Sequence, residues 1–460
     1  MAGSSILTNR TLEWVQEKGL CSEPTLTALT AQGYKQLTAI QLLAIPELLA
    51  KKDTFLHART GSGKTLGFLL PALERLRAMG FKKSHGVGAL VISPTRELAL
   101  QIAQVLKPLA EAHDFSSLTL IGGKKLKEEE KKDGCMLMVG TPGRLTEILT
   151  APEPEFRVTK LKILILDEAD KLFDDSMHTE YLRMICKCLP LEKMQKVLVS
   201  ATVNQKCLKL AKQILKTEFS YITSEKKVSP TTKQIKQSYL LVSTTERVPM
   251  LVTVLRTLKK KKAIVFFNSC HSVKFHHEVL KHFGLPVLYC VGQEKQSQRS
   301  NMYTKFVEME RGILLTTGMA ERGWDIPGVQ WIVQYDPPHK PEDYIHRIGR
   351  TGRGEGQTGQ ALLFLRPEEE KFIAVLKGMK VEIDQLEFQG DFNDIQEQLF
   401  SLVSDGLDIR QSAKMAYKKF VRAYQCHKLK KIFNIQTLDL NQVCRAFGFT
   451  KPPLELGKLT

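Results

Sequence analysis

The chain of 460 residues has no apolar run approaching the roughly eighteen residues of a membrane-spanning helix, which argues against a bilayer as its partner. The opening MAGSSILTNRTLEW has neither the basic region nor the apolar core of a secretory signal. No CxxC pair occurs; nine cysteines are scattered and only Cys186 and Cys188 lie close together. Reduced, mostly buried thiols in an intracellular protein are therefore expected, rather than zinc or disulfides. No fixed short period recurs in the two strand-rich regions, which excludes a solenoid. Acids are the scarcer charge: 49 Asp+Glu against 67 Lys+Arg give a formal net charge of +18. That excess makes a polyanion the expected partner, bound with salt-sensitive affinity.

Length implies about two to four domains, and a hydrophobic fraction of 43% suffices for sizeable cores. The first forty residues read as helices, with one over 24–32 closed by Gly33 and another over 40–50. Apolar runs at 54–58, 88–93, 118–123, 135–140, 162–166 and 196–200 then alternate with helical stretches, the rhythm of a parallel α/β sheet. The polar, basic stretch near EKKVSPTTKQIK reads as a linker over 226–237. A second series of runs, at 238–242, 263–268, 287–291, 312–317, 331–336 and 361–365, implies another α/β domain. From Pro367 no strand rhythm is evident, and Ala413, Ala416, Tyr417, Phe420, Val421 and Tyr424 share one helical face within 412–433. The expected order is thus a first domain over 1–225, a linker, a second domain over 238–366, and a helical extension over 367–460.

The stretch KILILDEAD, 162–170, is a short branched apolar run that ends in acids. It fits a strand buried on both faces, which delivers Asp167 and Glu168 at a sheet edge where ligands bind. Taken alone it fits an acidic helix N-terminus equally well. ARTGSGKT, Ala58 to Thr65, follows an apolar run and precedes a helix, the context of a phosphate-binding loop, although the usual pattern opens on Gly where this chain has Ala58. Thr60, Gly61, Ser62 and Gly63 can wrap phosphate oxygens with backbone N–H groups. Lys64 reaches the β and γ phosphates, and the Thr65 hydroxyl ligates Mg²⁺. Asp167, about a hundred residues on, then serves the metal, and Glu168 accepts a proton from the attacking water. HRIGRTGR, His346 to Arg353, offers cations for charge developing on the γ phosphate; Arg350 and Arg353 are three apart and fit one helical face.

With these motifs in this order, the chain resembles a DEAD-box RNA helicase over roughly 33–365, which implies two tandem RecA-like parallel-sheet α/β domains and RNA-dependent hydrolysis of ATP with Mg²⁺. GYKQLTAIQ (33–41) is similar to the adenine-reading motif, with Gln41 on the base. PTRELALQ (94–101), Gly122-Gly123 and TPGR (141–144) resemble first-domain RNA contacts, which implies RNA-binding roles for Pro94, Thr95, Arg96, Gly122, Gly123, Thr141, Pro142, Gly143 and Arg144. Physically, each of these places glycine, hydroxyl or arginine at a strand end, suited to phosphates and 2′-hydroxyls rather than bases. Ser200-Ala201-Thr202 resembles the segment that couples nucleotide state to strand separation, with Asp170 as its link to the nucleotide site and His346 as a further coupling residue. In the second domain the resemblance assigns Asn268, Gln296, Arg299 and Thr317 to RNA, Asp325 to the ribose, and Arg350 and Arg353 to the γ phosphate as fingers that act when the domains close.

Two positions depart from the family pattern: Gly318 stands where an Asp is usual and Val291 where a His is usual. The upstream aromatic of the adenine motif is displaced, with Val15 near its position and Trp14 beside it. The stretch 416–453 resembles the extension of nucleolar members that act in assembly of the large ribosomal subunit. This implies a monomeric core with pre-rRNA and pre-ribosomal proteins as partners, and a nuclear, nucleolar location. Lys414, Lys418, Lys419 and Arg422, interleaved with Tyr417, Phe420 and Tyr424, fit either RNA binding by charge and stacking or aromatics packed on the second domain beneath a solvated cationic face.

Overall fold

The computed structural model describes residues 11–58, 61–123, 135–203, 205–215, 218–224, 234–320, 324, 326–352, 357–388 and 392–453. The chain forms two compact units, residues 1–228 and 229–460. Among the described residues no helix is long and apolar enough to cross a membrane.

In the first unit the short apolar runs become seven parallel strands: β1 (Thr54–His57), β2 (Ala89–Ile92), β3 (Ser117–Leu120), β4 (Leu137–Gly140), β5 (Ile163–Leu166), β6 (Gln195–Ser200) and β7 (Ser220–Thr223). Their spatial order is β3-β4-β2-β5-β6-β1-β7. β1, β2, β4, β5 and β6 are buried along their whole length, which is why they read as continuous apolar runs rather than alternating ones. Two hydrophobic clusters cover the two faces of the sheet, one holding Val91 and Ile165 and the other Leu90 and Leu164. β7, at the sheet edge, is absent from the sequence reading; its four residues, SYIT, carry too little apolar signal to stand out.

The second unit repeats the plan with β8 (Ile235–Leu241), β9 (Lys262–Phe266), β10 (Val287–Cys290), β11 (Gly312–Thr316), β12 (Trp331–Gln334), β13 (Gly359–Leu365) and β14 (Asp384–Gln385), in the order β10-β11-β9-β12-β13-β8-β14. Two boundaries differ from the sequence expectation. β8 begins inside the stretch read as linker, because its polar residues are satisfied indoors: Gln237 is buried and its Oε1 accepts from the Tyr344 hydroxyl at 3.1 Å. The region beyond Pro367 does contribute a strand, β14, which pairs with β8 but is too short to show a period.

The C-terminal helices are part of the second unit's own core. Ala413, Ala416, Tyr417, Phe420, Val421 and Tyr424 on helix Leu407–Gln425 are all buried, in one cluster with Val273 and Phe275 of helix Cys270–His282. The three aromatics are therefore packed within the protein rather than presented for base stacking. That helix ends at Gln425, short of the expected 433. Beyond it His427 redirects the chain, as Nδ1 accepts from the Leu429 N–H at 3.1 Å and Nε2 donates to the Pro338 carbonyl at 3.1 Å.

Candidate nucleotide and RNA site

β1 and β6 run side by side with His57 opposite Ser200, and β6 pairs with β5. Their ends bring together the loop after β1, the acids after β5 and the Ser200–Thr202 segment after β6. The loop residues Gly61 and Gly63 have φ of +76° and +85°, values that favour glycine. Helix Lys64–Ala78 starts directly after Gly63, so the free N–H groups of its first turn lie where an anion is stabilised. Ala58 donates its N–H to the Ser200 carbonyl at 3.1 Å. Thr60 lies outside the described residues.

Gln41 braces this loop. Its Oε1 accepts from the Thr38 N–H at 2.7 Å and its Nε2 donates to the Gly63 carbonyl at 2.8 Å, while the Thr38 hydroxyl donates to the Ser62 carbonyl at 2.9 Å. A side chain on Gly63 would meet Gln41 Nε2 at 2.6 Å. The sequence pointed to Gln41 as a reader of adenine; the structure adds that its amide also holds the phosphate loop.

Asp167 and Glu168 are both buried. Glu168 has φ +47°, a left-handed conformation that is costly for a residue with a side chain. It turns the chain from β5 into helix Ala169–Asp174, and its N–H donates to Asp167 Oδ1 at 2.9 Å. Burial pushes the Asp167 carboxyl up to about 7; the Lys64 ammonium opposes that rise, and the Glu168 charge adds to it. Glu168 Oε2 is buried with no hydrogen-bond partner in the protein, as suits an acceptor that serves a bound molecule. Among the described residues no three His, Cys, Asp or Glu side chains gather as a metal cage. Mg²⁺ is usually held by one or two carboxylates together with phosphate oxygens and waters, and Thr65 with Asp167 fits that donor set. Asp170 Oδ2 accepts from the Thr202 hydroxyl at 2.7 Å, and Ser200 Oγ donates to the Thr202 carbonyl at 2.6 Å. Helix Ala169–Asp174 and the Ser200–Thr202 segment are thus directly bonded.

The RNA candidates of the first unit sit on the other half of the same edge, after the neighbouring strands β3, β4 and β2. Thr95 caps helix Arg96–Glu111, its Oγ1 accepting from the Leu98 N–H at 3.3 Å, and Pro94 precedes it. Thr141 is the N-cap of helix Pro142–Leu149, which also carries Gly143 and Arg144. Two helix N-termini therefore face this edge, each favourable to a phosphate. Gly122 and Gly123 lie against Arg96: a Cβ on Gly122 would be 3.0 Å from its Nη2. Arg144 pairs with Glu147 at 2.6 Å.

In the second unit Asn268, Gln296 with Arg299, and Thr317 likewise follow the three neighbouring strands β9, β10 and β11. Gln296 and Arg299 lie one turn apart on helix Gln296–Glu308. Asn268 is wired to the loop after β12: its N–H donates to Asp336 Oδ2 at 3.0 Å, its Nδ2 to the Pro337 carbonyl at 2.8 Å, and its Oδ1 accepts from Arg347 Nη2 at 3.2 Å.

His346 and Arg350 are buried, the arginine at 3% exposure. Arg350 donates from Nε to the His346 carbonyl at 3.2 Å and from Nη1 to the Trp324 carbonyl at 2.8 Å. It does not lie on a helical face shared with Arg353, because helix Pro341–Ile348 ends at a Gly349 cap and Arg350 follows in a turn. Arg353 and Asp325 lie outside the described residues. Sequence reasoning missed Asp336 and Arg247, whose pairing across about ninety residues carries no local signature; their carboxylate and guanidinium are 3.5 Å apart in the core of this unit.

Comparison with known proteins agrees with this geometry. Residues 38–210 match the DEAD/DEAH box helicase family, 246–355 the helicase conserved C-terminal domain, and 407–454 the C-terminal extension of the ATP-dependent rRNA helicase SPB4-like type. The chain is 42% identical to the probable ATP-dependent RNA helicase pitchoune of Drosophila melanogaster, over 95% of this chain and 64% of that protein. It is also 42% identical to the ATP-dependent RNA helicase has-1 of Neurospora crassa, over 94% of this chain and 75% of that one. Among solved structures, Mss116p bound to single-stranded RNA and AMP-PNP superposes with a TM-score of 0.87 at 26% identity, covering 98% of this chain and 95% of that one. This chain belongs to the DEAD-box family of ATP-dependent RNA helicases.

Proposed function

We propose that this protein hydrolyses ATP when bound to RNA and uses the cycle to remodel or open short duplexes of pre-ribosomal RNA during assembly of the large ribosomal subunit. The observation that carries the reading is the shared sheet edge of the first unit, where a glycine-framed phosphate loop and a buried acid pair stand beside loops built for phosphate contacts. Lys64 neutralises the β and γ phosphates, Gln41 meets the adenine and Asp325 the ribose. Thr65 and Asp167 would hold Mg²⁺, which when bound supplies charge neutralisation on the phosphates. Glu168 takes the proton of the attacking water. Arg350 and Arg353 stabilise charge developing on the γ phosphate in the state that holds both ATP and RNA. Arg350 reaches that state by exchanging its bonds to the Trp324 and His346 carbonyls for phosphate oxygens.

The RNA contacts fall on backbone phosphates and 2′-hydroxyls, so binding is independent of sequence. A strand held in a bent path is a poor partner in a duplex, and a short helix opens by local distortion. The bond from Asp170 to Thr202 carries the nucleotide state to the Ser200–Thr202 segment. The match of 407–454 to an rRNA helicase extension supports pre-rRNA as the substrate, pre-ribosomal proteins as neighbours and the nucleolus as the site of action, with a monomeric core.

The test is ATP hydrolysis with and without RNA, with DNA as a comparison. RNA is expected to stimulate turnover and DNA to do so weakly; no stimulation by RNA sinks the reading. Crosslinking to cellular RNA should recover large-subunit rRNA precursors above other transcripts, and their absence would remove the ribosomal assignment while leaving the ATPase intact.

A further inference from the structure

β1 ends at His57, immediately before the phosphate loop, and no motif in the sequence marks this residue. Its side chain is buried at 4% exposure. The strand register sets His57 opposite Ser200 of β6 on one side and Thr223 of β7 on the other. Tyr221, two residues back along β7, stands on the same face of the sheet. Its ring stacks on Phe55, with centroids 5.6 Å apart and planes 16° from parallel, and its hydroxyl lies 2.8 Å from His57 Nδ1.

The imidazole also hydrogen-bonds to the backbone of Ala201 in the sense that favours a protonated ring, as donation to the carbonyl does. The two bonds together define the tautomer: the neutral ring carries its proton on Nε2 and gives it to Ala201, while Nδ1 receives the Tyr221 O–H. Burial lowers the ring's pKa from its ordinary value; the Ala201 bond resists the fall, the Lys64 charge adds to it and the Asp170 charge resists it. His57 thus touches the phosphate-loop strand, the middle residue of the Ser200–Thr202 segment and the outer strand β7.

We infer that His57 is a positioning residue that ties the phosphate loop to the Ser200–Thr202 segment, with its ring oriented by Tyr221. The nucleotide site then has two mechanical links to that segment. One runs from the acid side, Asp170 to the Thr202 hydroxyl, and the other from the phosphate side, His57 to the Ala201 backbone. The two attach at adjacent residues, so both are needed to hold the segment in one pose. The inference rests on the RNA-dependent ATPase function proposed above.

The quantity to measure is strand separation per ATP hydrolysed, on a short RNA duplex, with the full chain. His57→Leu removes both hydrogen bonds while keeping a buried apolar group, and it should lower this ratio about tenfold. His57→Gln, whose amide can donate to Ala201 and accept from Tyr221, should recover it to within about twofold of wild type. Tyr221→Phe removes one oxygen from an exposed ring; it should lower the ratio about threefold alone and add nothing in the His57→Leu background. If His57→Leu does not fold, Tyr221→Phe decides the matter. A wild type that RNA fails to stimulate overturns the proposed function and this inference together. An RNA-stimulated wild type with an unchanged ratio in His57→Leu, or in Tyr221→Phe where the first does not fold, overturns the inference alone. Equal losses in His57→Leu and His57→Gln overturn it too.

Discussion

The two units have the same strand order when each is numbered from its own first strand, third-fourth-second-fifth-sixth-first-seventh, yet only the first leaves room for a phosphate. In the first unit the helix after the first strand opens on Lys64, framed by glycine, and the fifth strand leads into Asp167. In the second, the helix after β8 opens on Arg247, and β12 leads into Tyr335 and Asp336. The connection from β8 to that helix, 242–246, contains no glycine. Arg247 lies 3.5 Å from Asp336, donates to the Tyr335 carbonyl and sits over the Tyr335 ring at 4.5 Å. What one unit keeps for a ligand, the other fills with its own cation. Both units keep their RNA candidates after the third, fourth and second strands, so the division of the sheet edge survives while the nucleotide half has been rebuilt.

The comparison can be broken most severely on the nucleotide side. Glu168→Gln should lower RNA-stimulated hydrolysis by about 10² to 10⁴ and slow RNA release in the presence of ATP; hydrolysis near the wild-type rate would remove the base from the mechanism. On the other side, Asp336→Ala strands a buried guanidinium and should cost the second unit about 3–5 kcal/mol. Chemical denaturation followed by a probe in each unit reads this, and a loss shared equally by both units would contradict the assignment.

Acid should also separate the units. Burial lowers both His276 and His427, in the second unit, to about 4. Both rings stay neutral when folded and protonate when unfolded, so their contribution to stability is present above about pH 6.5. It is lost as pH falls from there toward 4. His276→Phe should flatten that slope in an equilibrium unfolding series.

Gly63→Ala forces a side chain into a left-handed position worth about 1–2 kcal/mol and against the Gln41 amide; weaker ATP binding is expected, measured by titration calorimetry. The smallest effect is expected at Gly318, which opens a short 3₁₀ turn after β11. Gly318→Asp should change unwinding by no more than about threefold, and a larger gain would mean that the departure from the family pattern has lowered activity.

Much of the architecture was legible because each buried parallel strand is a short apolar run with its chemistry attached at the end. ILIL followed by Asp167 and Glu168, and TFLH followed by the glycine loop, place the strand and its acid or loop within ten residues of each other. The sequence determined which side chains reach the sheet edge, and from charge and motif order which ligands they suit, since these depend on local backbone preference and residue type. Tertiary structure decided what those side chains do in between. It drew the aromatics of helix Leu407–Gln425 into the second core, turned Arg350 inward onto carbonyls and set Gln41 against Gly63. It also closed the Arg247–Asp336 pair and brought Tyr221 to His57. Each of those contacts joins residues that are close only after the sheet has formed, and a buried polar group takes whichever partner the fold supplies because leaving it unpaired costs more than any local preference.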